Sequence, residues 1–363
     1  NFNEAAVRGL MESDPPFDPK VWARLGSELG VLGLSVPEAA GGVGGSLIDQ
    51  AVAVEELGAV LACGPVFGTV YLAIPALVAA SDTPTDLLTE LVEGRRTAAF
   101  AVAETAGEFD PTSISLTATR SGDGYALTGV AEQVVDAAAA DDLLVAANGP
   151  DGVGLFAVDA AGSGVQRSAL ATLDLTRPQA TVTFTDAPGR LIAGPEEAER
   201  VIGHALAVGA ALLAVEQVGA GQHLLDLSVD YAKSRLQFGR PIGSFQAVKH
   251  KLADLLVELE HARSTAYHAV WALTDGSDDP ALAVSIAQAT CSAALTKIAK
   301  DTVQVHGGIG FTWEHQAHLY FKRAFTDAAL LGSAEEHRSR VAAMVLDTAS
   351  TDGAPRVADG VPV

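Results

Sequence analysis

From about Pro195 to Leu346 the chain keeps helical spacing almost without a break, and no other feature restricts its fold as strongly. Apolar residues recur every three or four positions through 205–220, 224–234, 245–273, 280–305 and 335–346. Such faces are buried when long antiparallel helices joined by short turns pack as a bundle. A second helical stretch covers 4–93, with Val21-Trp22-Leu25 and Ala51-Val54-Leu57 marking its apolar faces. Between these lies Val36-Pro37-Glu38-Ala39-Ala40-Gly41-Gly42-Val43-Gly44-Gly45, whose glycines exclude regular structure. The middle has a different texture. Short β-branched or alternating runs at 98–103, 114–119, 125–128, 143–146, 154–158 and 180–184 are separated by Gly, Asp and Pro, which predicts a small β domain. The expected organisation is α+β: an N-terminal helical domain at 1–95, a middle β-barrel domain at 96–194, a C-terminal four-helix bundle at 195–346 and a fraying tail at 347–363.

Charge narrows the partners. Against 45 Asp and Glu the chain sets 23 Lys and Arg, a net charge of −22, which repels nucleic acid and anionic lipid alike. Two cysteines, Cys63 and Cys291, make neither a disulfide framework nor a metal-ligand pattern, and point to a reducing, cytoplasmic compartment. The run 57–81 carries no charge and is long enough to cross a bilayer. Gly58, Gly64, Pro65, Gly68 and Pro75 break it, so a buried helix, a turn and a second buried helix are expected instead of a membrane span. Asn1 opens no signal-peptide pattern, and residues before it are left open.

Two stretches of the bundle carry chemistry. Tyr231-Ala232-Lys233-Ser234-Arg235-Leu236-Gln237-Phe238-Gly239-Arg240-Pro241-Ile242-Gly243-Ser244-Phe245-Gln246 predicts a helix ending at Arg235, a turn, and a new helix with Gln246 in its first turn. A guanidinium and free helix N–H groups at one junction suit a pyrophosphate, although an ordinary helix corner with a surface arginine has the same sequence. Asp301-Thr302-Val303-Gln304-Val305-His306-Gly307-Gly308-Ile309-Gly310 ends a helix with three glycines, where a plain C-cap needs one. Backbone there can approach a ligand more closely than a residue with a side chain allows.

Together these stretches resemble the flavin signatures of the acyl-CoA dehydrogenase family, and the likeness covers nearly the whole chain, including the loop at 36–45 and Thr172-Leu173-Asp174-Leu175-Thr176-Arg177 before the last strand. The resemblance implies an FAD at a dimer interface, to which each bundle contributes residues for a ring held by its neighbour. Arg235 would meet the pyrophosphate, Phe238 would pack on the flavin side, and Gln246 would hydrogen-bond near the ribityl or phosphate part. Gln304, Gly307 and Gly308 would cradle the adenosine side. Other partners implied are an acyl-CoA substrate and an electron-transfer acceptor protein.

The ring half departs from the family pattern. Where members carry a Thr-Glu-Pro-x-Ala-Gly-Ser-Asp type loop, this chain has Ala103-Glu104-Thr105-Ala106-Gly107-Glu108-Phe109-Asp110. Where they carry Trp-Ile-Thr or Trp-Ile-Ser, it supplies Gln133 and Val135, losing both the stacking aromatic and the hydroxyl. The two positions at which the family places its catalytic glutamate fall on Leu331 and Gly209, and neither can take an α-proton.

Glu216, in the otherwise apolar run 205–220, is either a buried partner to a basic residue or a displaced base with a raised pKa. Glu335 and Glu336 suit a solvated helix start, His306 a packed or interface histidine, and Asp174 with Arg177 a local ion pair. The resulting expectation is a subunit of a dimer of heterodimers (α2β2) of the steroid-CoA type. It lends its flavin residues to a second acyl-CoA dehydrogenase subunit and has no base of its own. A self-sufficient homotetramer using Glu216 and a flavin-free structural paralogue are the alternatives.

Overall fold

The computed structural model describes residues 2–347 apart from 83, 123 and 277; the tail expected at 347–363 lies, from 348 onward, outside the described residues. The N-terminal layer comprises α1 (Glu4–Leu10), α2 (Pro19–Ser27), α3 (Leu47–Ala59), α4 (Ile74–Ala79) and α5 (Thr85–Val92). Local chemistry fixes their starts. Asp18 caps α2 at the Lys20 N–H (2.8 Å) with Pro19 at the first helical position, and Ser46 and Asp49 close a capping box on α3. The uncharged run 57–81 is not one helix: α3 ends at Ala59, and a widened helical segment, Phe67–Ala73, follows a turn and leads into α4.

The middle domain holds β1 (Ala98–Ala101), β2 (Glu104–Thr105), β3 (Glu108–Phe109), β4 (Thr117–Ser121), β5 (Gly124–Val135), β6 (Asp142–Gly149), β7 (Gly152–Asp159), β8 (Val165–Ala169) and β9 (Gln179–Ala193). The main sheet runs β1-β6-β4-β5-β9-β7, and pairing of β7 back onto β6 closes it around a core that includes Leu127, Leu143, Phe156, Val182 and Phe184. β5 and β9 pair with two register shifts, the second between Ala131 and Val134, where Gln133 adopts φ 55°.

In the C-terminal region lie α6 (Ala198–Ser234), β10 (Leu236–Gln237), β11 (Arg240–Pro241), α7 (Gln246–Asp275), α8 (Pro280–His306), α9 (Ala317–Asp327) and α10 (Ala334–Ala342). At about 1.5 Å per residue α6 is roughly 55 Å long, and its middle is buried on all sides. α3 crosses it backbone to backbone. A Cβ on Gly58 would fall 2.3 Å from the Glu216 carbonyl oxygen, and one on Gly219 would fall 1.9 Å from that of Glu55. These two glycines therefore set the depth at which Glu216 sits. Both α6 and the helical run 280–311 are long and apolar enough to span a bilayer, but 83% and 61% of their most apolar windows are buried inside the fold.

Candidate functional site

Both bundle signatures lie at one end of the helices. The last turns of α6 and α8 run side by side: Ser228 Oγ donates to Thr302 Oγ1 at 3.1 Å, and the Tyr231 and His306 rings lie 4.4 Å apart. α7 starts beside them, with Lys251 Nζ donating to Asp301 at 2.5 Å. Between α6 and α7, β10 and β11 form a tight hairpin whose tip is Phe238 (φ 52°) and Gly239 (φ 76°). The Phe238 ring is 89% exposed. A large aromatic held in left-handed geometry carries a backbone cost, and its exposure to water a second one that a covering partner would remove. Arg235, Gln246 and Gln304 are exposed at the same end of the bundle.

Two further details show that this end faces outward. α7, 30 residues long, begins after Phe245 with no side-chain cap among the described residues, which leaves N–H groups of its first turn without an intrahelical partner. Gly307 has φ 63° and serves the C-cap of α8, whereas Gly308 has no positive φ and, among the described residues, no atom within 4 Å of a would-be Cβ. Nothing among the described residues requires glycine at 308. His306 is packed, with Nδ1 donating to the Thr302 carbonyl at 2.8 Å and its ring against Tyr231 and His315.

Glu216 lies at the junction of all three regions. Its carboxylate accepts from Tyr71 Oη at 2.8 Å, Arg177 Nη2 at 2.5 Å and Arg323 Nη1 at 2.5 Å, and all four residues are buried. Burial pushes its pKa up, but the two guanidiniums and the tyrosine hydroxyl outweigh burial and hold it well below the usual carboxylate range. The expected local pair of Asp174 and Arg177 is not formed. Asp174 accepts from Arg323 Nε at 3.0 Å, while Arg177 turns to Glu216 and to Asp327, 3.5 Å away. Each guanidinium thus reaches across a domain boundary, because a buried charge needs every carboxylate within range. Asp136 accepts from the Gly68 N–H at 2.8 Å and is pushed by burial up to about 6; Asp327 is raised by burial too. The free space open to the centre of a water among these groups is about 10 Å³, room for one water at most and far too little for an acyl chain.

Neither position of the expected base offers an acid. A Cβ on Gly209 would meet Leu72 Cδ2 at 2.5 Å, and Leu331 is buried with φ 55°. Glu336 closes a capping box with Ser333 at the start of α10, and Glu335 occupies the same exposed first turn.

Residues 199–346 match the model of the acyl-CoA dehydrogenase C-terminal domain, and residues 4–82 that of its N-terminal domain. The acyl-CoA dehydrogenase IpdE2 of Mycobacterium tuberculosis is 37% identical over 95% of this chain and 92% of its own length. This chain belongs to the acyl-CoA dehydrogenase family. FadE34, an acyl-CoA dehydrogenase of the same organism, is also 37% identical over 94% of this chain, but the match spans 44% of its own length. Among solved structures, a Tcur3481-Tcur3483 steroid ACAD variant superposes with TM-score 0.84 at 31% identity, covering 96% of this chain and 94% of that one. The ChsE4-ChsE5 complex from Mycobacterium tuberculosis does so with TM-score 0.82 at 29% identity, covering 96% and 92%.

Acyl-CoA dehydrogenases are FAD-dependent flavoproteins. The outward-facing bundle end, with its uncapped helix, exposed arginine and unfilled Gly308, fits the phosphate and adenosine portion of that cofactor. The ring half does not fit in the same way. Gln133 sits at a bulge with its side chain exposed, Val135 is buried in the core, and Phe109 packs against the same core. Sequence reasoning singled out Glu216 but missed Tyr71, Asp136, Arg323 and Asp327, which complete its surroundings. The available signal was charge balance: a buried glutamate in an apolar helix demands a buried cation from elsewhere in the chain.

Proposed function

We infer that this chain is one subunit of a heteromeric, FAD-dependent acyl-CoA dehydrogenase of the dimer-of-heterodimers kind, acting on a CoA thioester with a bulky, steroid-type acyl group. The observation that carries this reading is the asymmetry of the site. The nucleotide end is exposed, while the base positions hold Leu331 and Gly209, and Glu216, the carboxylate nearest them on α6, is locked between two arginines. FAD, when bound, supplies the hydride acceptor. The chain's own residues would hold its nucleotide part: Arg235 would neutralise the pyrophosphate, the start of α7 would offer N–H groups near Gln246, Phe238 would pack on the flavin side, and Gln304, Gly307 and Gly308 would cradle the adenosine. The proton acceptor and the bed for the ring belong to a homologous partner chain, and electrons leave to an acceptor protein.

Three findings support the reading. Two of the solved neighbours are named as pairs, and one of them is a steroid ACAD. FadE34, of which this chain matches 44%, has room for a second chain of equal size in one polypeptide. Cys63 and Cys291, both free and buried, suit a cytoplasmic enzyme.

The test is flavin stoichiometry from visible absorbance, with the chain expressed alone and then with candidate partners. Flavin only on coexpression, at one per two chains, is the expected result. One flavin per chain when purified alone would sink the subunit assignment in favour of a homotetramer; none under either condition would leave a flavin-free scaffold.

A further inference from the structure

The hairpin of β2 and β3 turns at Ala106 (φ 53°) and Gly107 (φ 79°), two left-handed residues in succession. Its tip is fastened to the far end of the chain. The Ala106 carbonyl accepts from Arg340 Nη2 at 2.5 Å, and Arg340 Nε lies 3.4 Å from Glu108 Oε1. A Cβ on Gly107 would stand 2.2 Å from the Leu331 carbonyl oxygen, and one on Gly332 would stand 2.8 Å from that of Ala106. Two backbones therefore touch where only glycine permits it. His337 Nε2 donates to the same Leu331 carbonyl at 2.8 Å, and within the hairpin Glu104 accepts from the Gly107 N–H at 2.5 Å. Behind the tip, Phe109 packs into the core formed with α6.

We propose that this hairpin is a latched wedge, pinned by Arg340 onto the Leu331–Gly332 turn, that closes the chain's own acyl-thioester site from the β-domain side. The idea rests on the family assignment of Leu331 to the base position, and it deepens the subunit reading: a missing acid is one defect, and a filled entrance is another. Restoring a carboxylate at Leu331 would place it behind a closed wall.

Hydrogen exchange on the full-length chain, purified alone, tests this with butyryl-CoA as the probe. Peptides covering 103–110 and 328–337 should exchange slowly in the wild type, and saturating butyryl-CoA should leave them unchanged. Arg340→Ala should speed exchange in both peptides by about tenfold or more, through loss of a charge-assisted hydrogen bond, while α6 peptides keep their rate. Leu331→Glu should bind no more butyryl-CoA in a titration than the wild type. A wild-type hairpin that exchanges as fast as an unstructured peptide would overturn the proposal. So would protection of it by butyryl-CoA, or new thioester binding by Leu331→Glu alone. Arg340→Lys replaces the alanine variant if that fails to fold, and the wild-type measurement needs no variant. None of these readouts involves flavin, so a coexpressed complex lacking FAD would remove the subunit assignment while leaving the latch standing.

Discussion

Replacing Glu216 by glutamine separates a structural carboxylate from a catalytic one. The wild-type side chain receives three hydrogen bonds, from Tyr71, Arg177 and Arg323, at 2.5 to 2.8 Å in a buried space. Glutamine keeps the shape but removes the charge, and its amide directs donors at guanidiniums that have only donors to offer. Two buried cations then share Asp174 and Asp327. Removing one member of a buried ion cluster costs about 3–5 kcal/mol. Urea unfolding of the coexpressed complex, followed by circular dichroism, should show the midpoint falling by on the order of 1 M. Turnover per bound flavin should be unchanged. The pH dependence has a definite sign. Because the folded state holds the Glu216 pKa below its ordinary 4.5, its contribution is present above that value and is lost as pH falls below it, so variant and wild type should converge in acid. A Glu216→Gln complex as stable as the wild type, with turnover reduced a hundredfold, would refute the structural assignment and restore the displaced base.

Asp136 should behave in the opposite sense. Burial raises its folded pKa from 3.8 to about 6, so the wild type bears a cost above pH 6 that vanishes below 3.8; Asp136→Asn should gain about 3 kcal/mol relative to wild type at pH 8 compared with pH 3. Parallel unfolding curves at the two pH values measure it. Arg235→Ala should leave the thermal midpoint of the isolated chain within about 1 °C, since an exposed side chain away from packing changes stability little, while the coexpressed complex loses FAD during gel filtration. Gly219→Ala drives a methyl into the Glu55 carbonyl, 1.9 Å from its ideal position, and should destabilise the chain by about 1–3 kcal/mol in a denaturant titration.

What the sequence made legible was local. Arg235, Phe238, Gln246 and the glycines after Gln304 stand within short segments whose helix-turn-helix spacing can be read directly, and the structure gathers them at one end of the bundle. Glu216 was legible as an anomaly, one acid in an apolar run. Its partners were not, because Tyr71, Arg177 and Arg323 come from three separate elements and only the folded chain brings them together. The same limit misassigned Asp174 to Arg177, which are neighbours in sequence but bind partners across the junction. β8 escaped notice because Val165-Gln166-Arg167-Ser168-Ala169 holds one β-branched residue and gains its order from pairing with β9. The bulge that turns Gln133 outward leaves no mark in composition either.

The way α3 and α6 touch, glycine against carbonyl, bears on how such chains can be recombined. Gly58 and Gly219 fix the helix spacing, and that spacing sets where the Glu216 carboxylate ends. A chimera that imported a foreign middle domain would have to bring Asp174, Thr176 and Arg177 with it, matched to Arg323 and Asp327 in the recipient. Shuffling single modules between relatives would strand a charge, so these parts must be inherited as a set.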